Sequence, residues 1–206
     1  MMVSANLEKS IKESEGMLHS VTPALEAASL GIAINFWERL LENSRSINLL
    51  LQNKFINEAM VIHRLSIEHF SIVVALVEGK TTFEDLKNKD LTDIPKQAQR
   101  LQKSDTKKSS LTQENREVLK NFINRLEAAP ATPSGISVYN LLDSCGLDFI
   151  YTNYCLYSLR AAHSTLLSGT SAGGEQEAEK LLADAIDILD LTNAYAKKLV
   201  GSLQKK

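Results

Sequence analysis

Residues 55–79 read FINEAMVIHRLSIEHFSIVVALVEG. Wound at about 100° per residue, Ile56, Met60, Ile62, Leu65, Ile67, Phe70, Val73, Val74 and Val77 cover most of a helix's circumference. A helix this apolar all round belongs at the centre of a bundle. The β-branched run 70–77 would suit a strand on its own. It lies inside a longer helical pattern, and length decides for helix. Gly79 is a natural stop, because glycine accepts the left-handed conformation that closes a helix.

Upstream, Thr22-Pro23 predicts a helix start, with Thr22 as cap and Pro23 in the first turn. Leu25, Ser29, Ile32, Phe36, Leu40, Ile47 and Leu51 then share an arc of about 100°, with Trp37 at its edge. Asn53 and Lys54 turn the chain, so residues 22–79 form a long helical hairpin. Residues 1–21 predict a marginal helix, polar on most of its surface.

Downstream, residues 80–134 predict short helices and loops. Thr82 caps residues 83–87, Pro95 opens a second helix to Leu101, and residues 103–110 form a polar loop. A helix over 112–129 starts at Thr112 and turns Val118, Leu119, Phe122, Ile123 and Leu126 inward. Pro130 and Pro133 bracket a turn. Residues 135–206 carry a short helix closed by Gly146, a Tyr-rich helix over 147–167, a Gly/Ser loop over 168–176 and a last helix over 178–199.

Composition agrees with this reading. The chain has 206 residues, only 9 Gly and 4 Pro, and 44% hydrophobic residues. That excludes wholesale disorder and a turn-rich β architecture. The expectation is all-α: a single-domain irregular bundle over residues 1–206, with roughly seven to nine helices, three or four of them long. Lys+Arg 23 against Asp+Glu 25 gives a net charge of −2, which argues against a mainly electrostatic nucleic-acid binder. Cys145 and Cys155 form no C-x-x-C pair, and residues 1–16 lack the basic and apolar regions of a signal peptide. The charge-free apolar run 70–77 is far shorter than the roughly 20 residues that span a bilayer. A cytoplasmic protein without membrane segment, metal or cofactor is expected.

The central helix carries one polar stripe. Asn57, Arg64, Glu68 and Ser71 fall within about 60° of one another. Arg64 and Glu68 are an i,i+4 pair able to meet side by side. Such a stripe either faces water, or faces another helix as a buried ion pair lining a pocket. His63 and His69 lie about 120° apart, the wrong spacing for two ligands of one metal. His163 flanks the apolar face of the Tyr-rich helix, as a core histidine or as a general base. No nucleophile elbow, phosphate loop, dinucleotide fingerprint or metalloprotease motif is present.

Two segments together, NEAMVIHRLSIEHFSIVVALV (57–77) and ISVYNLLDSCGLDFIYTNYCLYSLRAAHSTLL (136–167), resemble the mostly bacterial, all-helical domain-of-unknown-function family 5677. The resemblance implies recurring polar positions that transfer to Arg64, Glu68, Tyr151 and His163. The family pattern often has a Ser one turn before the His; this chain has Leu159 there and Ser158 beside it. A second, looser similarity is to HEPN bundles, some of them ribonucleases with R-x(4–6)-H. Arg64 and His69 fit that spacing but sit about 140° apart on one helix. The functional expectation is a protein- or ligand-binding or structural module with an Arg/Glu/Tyr/His cluster between helices, and a protein partner or homodimer as company. The alternative is a HEPN-like ribonuclease, or another hydrolase, in stress or phage defence.

Overall fold

A computed structural model describes residues 2–28, 30–108, 111–128, 135–162 and 174–203. Among them the protein is a helical bundle with eight α-helices and no strand. The chain divides into two compact units, one formed by residues 1–81 and 137–206, the other by residues 82–136.

The larger unit begins with α1 (Met2–Ala27). Its buried residues Leu7, Ile11, Ser14, Leu18, Val21 and Leu25 recur at steps of three and four, and this stripe runs through Pro23 without a break. The expected start at Thr22-Pro23 is therefore wrong. Burying Val21 and Leu25 outweighs the backbone bond that proline removes, and the Thr22 hydroxyl donates back to the Leu18 carbonyl at 2.8 Å instead of capping. The helix ends later, at Ala27, and the Leu30 amide closes onto the Leu25 carbonyl at 2.8 Å. The helix taken as marginal spans 26 residues.

Helices α2 (Gly31–Gln52) and α3 (Ile56–Val77) make the expected antiparallel hairpin. Lys54 turns it in the left-handed region at φ 63°. The buried face of α2 is Ala33, Ile34, Trp37, Leu40, Leu41, Ser44 and Ile47, so Trp37 is at its centre rather than its edge. The indole Nε1 donates to the Ser14 hydroxyl at 2.9 Å, which satisfies both buried groups across the α1–α2 contact. Helix α3 is central: α2, α6 (Val138–Ser144), α7 (Phe149–Tyr157) and α8 (Glu175–Leu203) all pack on it. By length and composition α3 could cross a membrane, but most of it is buried inside the bundle, the pattern of a core helix. It closes at Gly79, φ 64°.

Ser137 caps α6, its hydroxyl accepting from the Asn140 amide at 3.1 Å, and Gly146 closes it at φ 70°. Helix α7 continues into a π-helical turn, Ser158–Ala162. The long α8 buries Leu181, Leu182, Ala185, Ile188, Leu189, Thr192 and Ala196. Its far end is tied down twice. Lys198 pairs with Glu78 at 2.9 Å, and the Tyr195 hydroxyl donates to the Cys145 carbonyl at 3.2 Å.

The smaller unit is one helical hairpin. Helix α4 (Phe83–Lys108) is continuous, with Pro95 inside it. The expected short helices and the polar loop at Lys103 merge into it, leaving fewer short helices and more long ones than the sequence suggested. Thr82 caps α4 reciprocally with Asp85: the Thr82 amide donates to Asp85 at 2.9 Å, and the Asp85 amide to the Thr82 hydroxyl at 3.2 Å. Helix α5 (Gln113–Glu127) starts at Thr112 as expected. Buried Asp105 joins the two helices, accepting from Arg116 Nε at 2.5 Å and from the Leu111 amide at 2.6 Å. Ile123 is buried, but Val118 and Phe122, expected inward, are 63% and 45% exposed. A two-helix unit has one contact face, and that face cannot cover the whole apolar arc of α5.

Candidate functional site

Arg64 and Glu68 rise one turn apart on α3 and face α7, partly buried. Arg64 Nη2 meets Glu68 Oε1 at 2.8 Å. Two α7-side groups complete the set. Arg64 Nε donates to the Ser158 hydroxyl at 2.8 Å, and Arg64 Nη2 to the Tyr154 hydroxyl at 2.8 Å. The Tyr154 hydroxyl in turn donates to Glu68 Oε1 at 3.0 Å. The guanidinium carbon also lies 4.9 Å from the Tyr154 ring centroid, within cation–π range. The Arg64 and Glu68 side chains retain 25% and 28% of their exposure. They are a partly buried pair hydrogen-bonded to each other and to two hydroxyls, the form in which such a pair is tolerated. Burial first, and then the Glu68 carboxylate, push the Tyr154 phenol above its usual pKa, so it stays a donor. Ser71, the last of the stripe, is buried and donates to the Glu68 carbonyl at 2.8 Å.

Of the other expected positions, Tyr151 does not join this network. It stacks on Tyr154 (centroids 5.5 Å apart, planes 20°) and meets Tyr139 edge-on at 5.2 Å. Tyr154 and Ser158 are one helical turn apart and both reach Arg64 on α3. His163 lies outside the described residues. His69 leaves Arg64 altogether: it turns to α2, with its Nδ1 3.3 Å from the Asn43 amide nitrogen and its ring 5.6 Å from that of Phe36. Arg64 and His69 therefore do not converge within one chain.

Tyr154 and Ser158 were missed as partners, though their i,i+4 spacing mirrors that of Arg64 and Glu68. Arg160, in the π-helical turn, pairs with Glu177 at 3.0 Å, while Glu177 also accepts from the Gly174 amide at 2.9 Å. Those two bonds hold the Glu177 carboxyl below its usual range.

A matching family profile, described as a family of unknown function, DUF5677, covers residues 30–180. The chain belongs to this family. The matched span includes the α2–α3 hairpin, Arg64, Glu68, Tyr154 and Ser158. No curated protein and no solved structure matches the chain.

A second feature lies on another side of α3. His63 is 1% exposed, and neither ring nitrogen has a hydrogen-bond partner among the described residues. Its ring meets Tyr157 edge-on, centroids 5.0 Å apart. Tyr157 donates to Asp184, which also pairs with Lys180 at 2.5 Å. Burial lowers the His63 pKa to about 4, so the imidazole is neutral at pH 7.

Proposed function

We propose that the protein is a non-catalytic binding or structural module in which the Arg64 network fixes α3 against α7. The observation that carries this reading is the engagement of Arg64 within its own chain: Glu68, Tyr154 and Ser158 take its Nε and Nη2 donors. A network spent on its own partners sets helix register and holds charge in place. The Ser158 hydroxyl accepts from the guanidinium with no base beside it among the described residues, and the Tyr154 phenol, which donates to Glu68, is held above its usual pKa and stays protonated. Val61 and Leu65, one turn apart on α3, are 37% and 36% exposed, which supports a protein partner or a second copy on that edge.

Incubation with structured and single-stranded RNA tests the reading against the ribonuclease alternative. No cleavage by the wild type, Arg64→Ala or His69→Ala protein is expected. Cleavage by the wild type that both variants lose would overturn the module reading.

A further inference from the structure

The hairpin of α4 and α5 carries an apolar face that its own two helices leave open. On α4, Phe83, Ile94 and Leu101 are all exposed and fall within about 20° of one another. On α5, Val118 and Phe122 form a second exposed stripe, about 40° wide. The Asp105–Arg116 pair sets the register of the two antiparallel helices, so Leu101 lies abreast of residue 120, between Val118 and Phe122. Helical rotation turns both stripes to the same flank of the hairpin. Polar side chains take the other flank, where Gln102, Thr106, Gln113 and Glu117 line a cleft. Two helices with a single contact row enclose little core, and a second layer of helices supplies one.

The charges along α4 favour one kind of second layer. Residues 83–93 hold four acidic and two basic side chains. Residues 96–106 hold three basic and one acidic, and the acidic one, Asp105, is buried against Arg116. Laid antiparallel on a copy of itself, α4 sets its acidic half against the basic half of that copy. Laid parallel, it would set like charges together.

We propose that the protein forms a two-fold dimer through this face, hairpin on hairpin, as a four-helix bundle in which α4 runs antiparallel to α4 of the second copy. With Ile94 over Leu101 of the second copy, the two-fold axis passes between Gln97 and Ala98. The same register brings Asp93 opposite Arg100 of the second copy, twice by symmetry. Asp93 and Arg100 lie within about 20° of each other on one edge of the apolar stripe, the place of a flanking charge pair in a helical interface. Arg100 is exposed and makes no ion pair among the described residues. Asp93 meets Lys89 and Lys96 at 3.3 and 3.4 Å, exposed pairs of small worth that a guanidinium can join. By helix dimensions the face offers roughly 600 Å² per copy, the lower end of specific interfaces, and a dissociation constant of about 1–100 µM is expected. This face and the Arg64 network belong to different units of the chain, so self-association tests the one and RNA cleavage the other.

Sedimentation velocity of the full-length protein, from about 1 to about 200 µM at low salt, reads the dimer directly. A concentration-dependent monomer–dimer equilibrium is expected, weakened by added salt. Leu101→Gln and Phe122→Gln change exposed positions and should each leave a folded monomer. The α3 double variant Val61→Gln/Leu65→Gln should dimerise like the wild type. Arg100→Glu and Asp93→Lys should each dimerise about tenfold more weakly, because each sets two pairs of like charges together. Mixed in equal amounts, those two variants should form a heterodimer of wild-type strength, since every pair is then complementary. If Leu101→Gln fails to fold, the mixing experiment decides alone. A monomer at every concentration, a dimer untouched by Leu101→Gln, a dimer lost in the α3 variant, or no recovery on mixing would overturn the proposal.

Discussion

His63 makes the protein's stability depend on pH in a direction that can be worked out. Above pH 6.5 the imidazole is neutral both folded and unfolded. Between 6.5 and about 4 the unfolded chain takes up a proton that the folded chain refuses, so stability falls as pH falls. The slope is about 1.4 kcal/mol per pH unit, about 3 kcal/mol across the window. His69, also lowered by burial, adds in the same direction. Urea unfolding at pH 7 and pH 4.5 measures the loss, and His63→Phe should reduce it by most of that amount. An unchanged slope would assign the acid sensitivity to other groups. At Arg64, truncation to Ala leaves Glu68 half-buried without its cation and should cost about 2–4 kcal/mol. A double-mutant cycle between Arg64→Ala and Tyr154→Phe should show a coupling of about 1 kcal/mol, since the cycle removes the one hydrogen bond between the two groups and leaves the ring in place.

Two helices carry a proline in their interior, and both test how punctuation is overruled. Pro23 in α1 and Pro95 in α4 read as starts because proline suits a first turn. The structure uses neither as a start, so Pro23→Ala and Pro95→Ala should each raise the melting temperature without changing helix content. If either residue opened a helix, its removal would instead be neutral or harmful. At the α2–α3 turn, Lys54 at φ 63° bears a conformation that glycine adopts freely, and Lys54→Gly should stabilise by up to about 1 kcal/mol in chemical denaturation. The α3 helix was legible from its own residues, because all-round apolarity needs no knowledge of neighbours. The face of α2 was not. Helices α1, α3 and α8 all pack on α2, so its apolar residues do not mark a single direction, and the pairing of Trp37 with Ser14 joins residues 23 positions apart. Likewise, Arg64 and Glu68 were visible as a pair one turn apart. The choice of Tyr154 over Tyr151 depends on the rotation of α7 about its axis, which no local pattern states.

At the scale of the whole molecule, the two units differ in how much they bury. The unit of residues 1–81 and 137–206 encloses Trp37, Phe70, Tyr157 and many aliphatic side chains. The unit of residues 82–136 buries few side chains, among them Ala98, Asp105 and Ile123, and leaves Phe83, Leu101, Val118 and Phe122 exposed. Local opening is governed by buried apolar contacts, so amides of α4 and α5 should exchange with deuterium well before those of α3 and the middle of α8. Uniform protection across both units would contradict this. Asp105→Asn, which weakens the link between α4 and α5, should speed exchange in that hairpin alone. The all-helical class followed from the few glycines and prolines. The division into units did not, since residues 82–136 have the same helical periodicity as the rest and differ only in how much of it is covered.

The π-helical turn at Ser158–Ala162 holds one more residue per turn than the α-helix before it. Residues within it can then be aligned to different neighbours. Ser158 answers to α3 and Arg160 to the start of α8. The turn acts as a phase shifter: removing Leu159 would leave Arg160 a single α-helical step of about 100° from Ser158, keep the alignment of Ser158 to Arg64 and turn Arg160 away from Glu177.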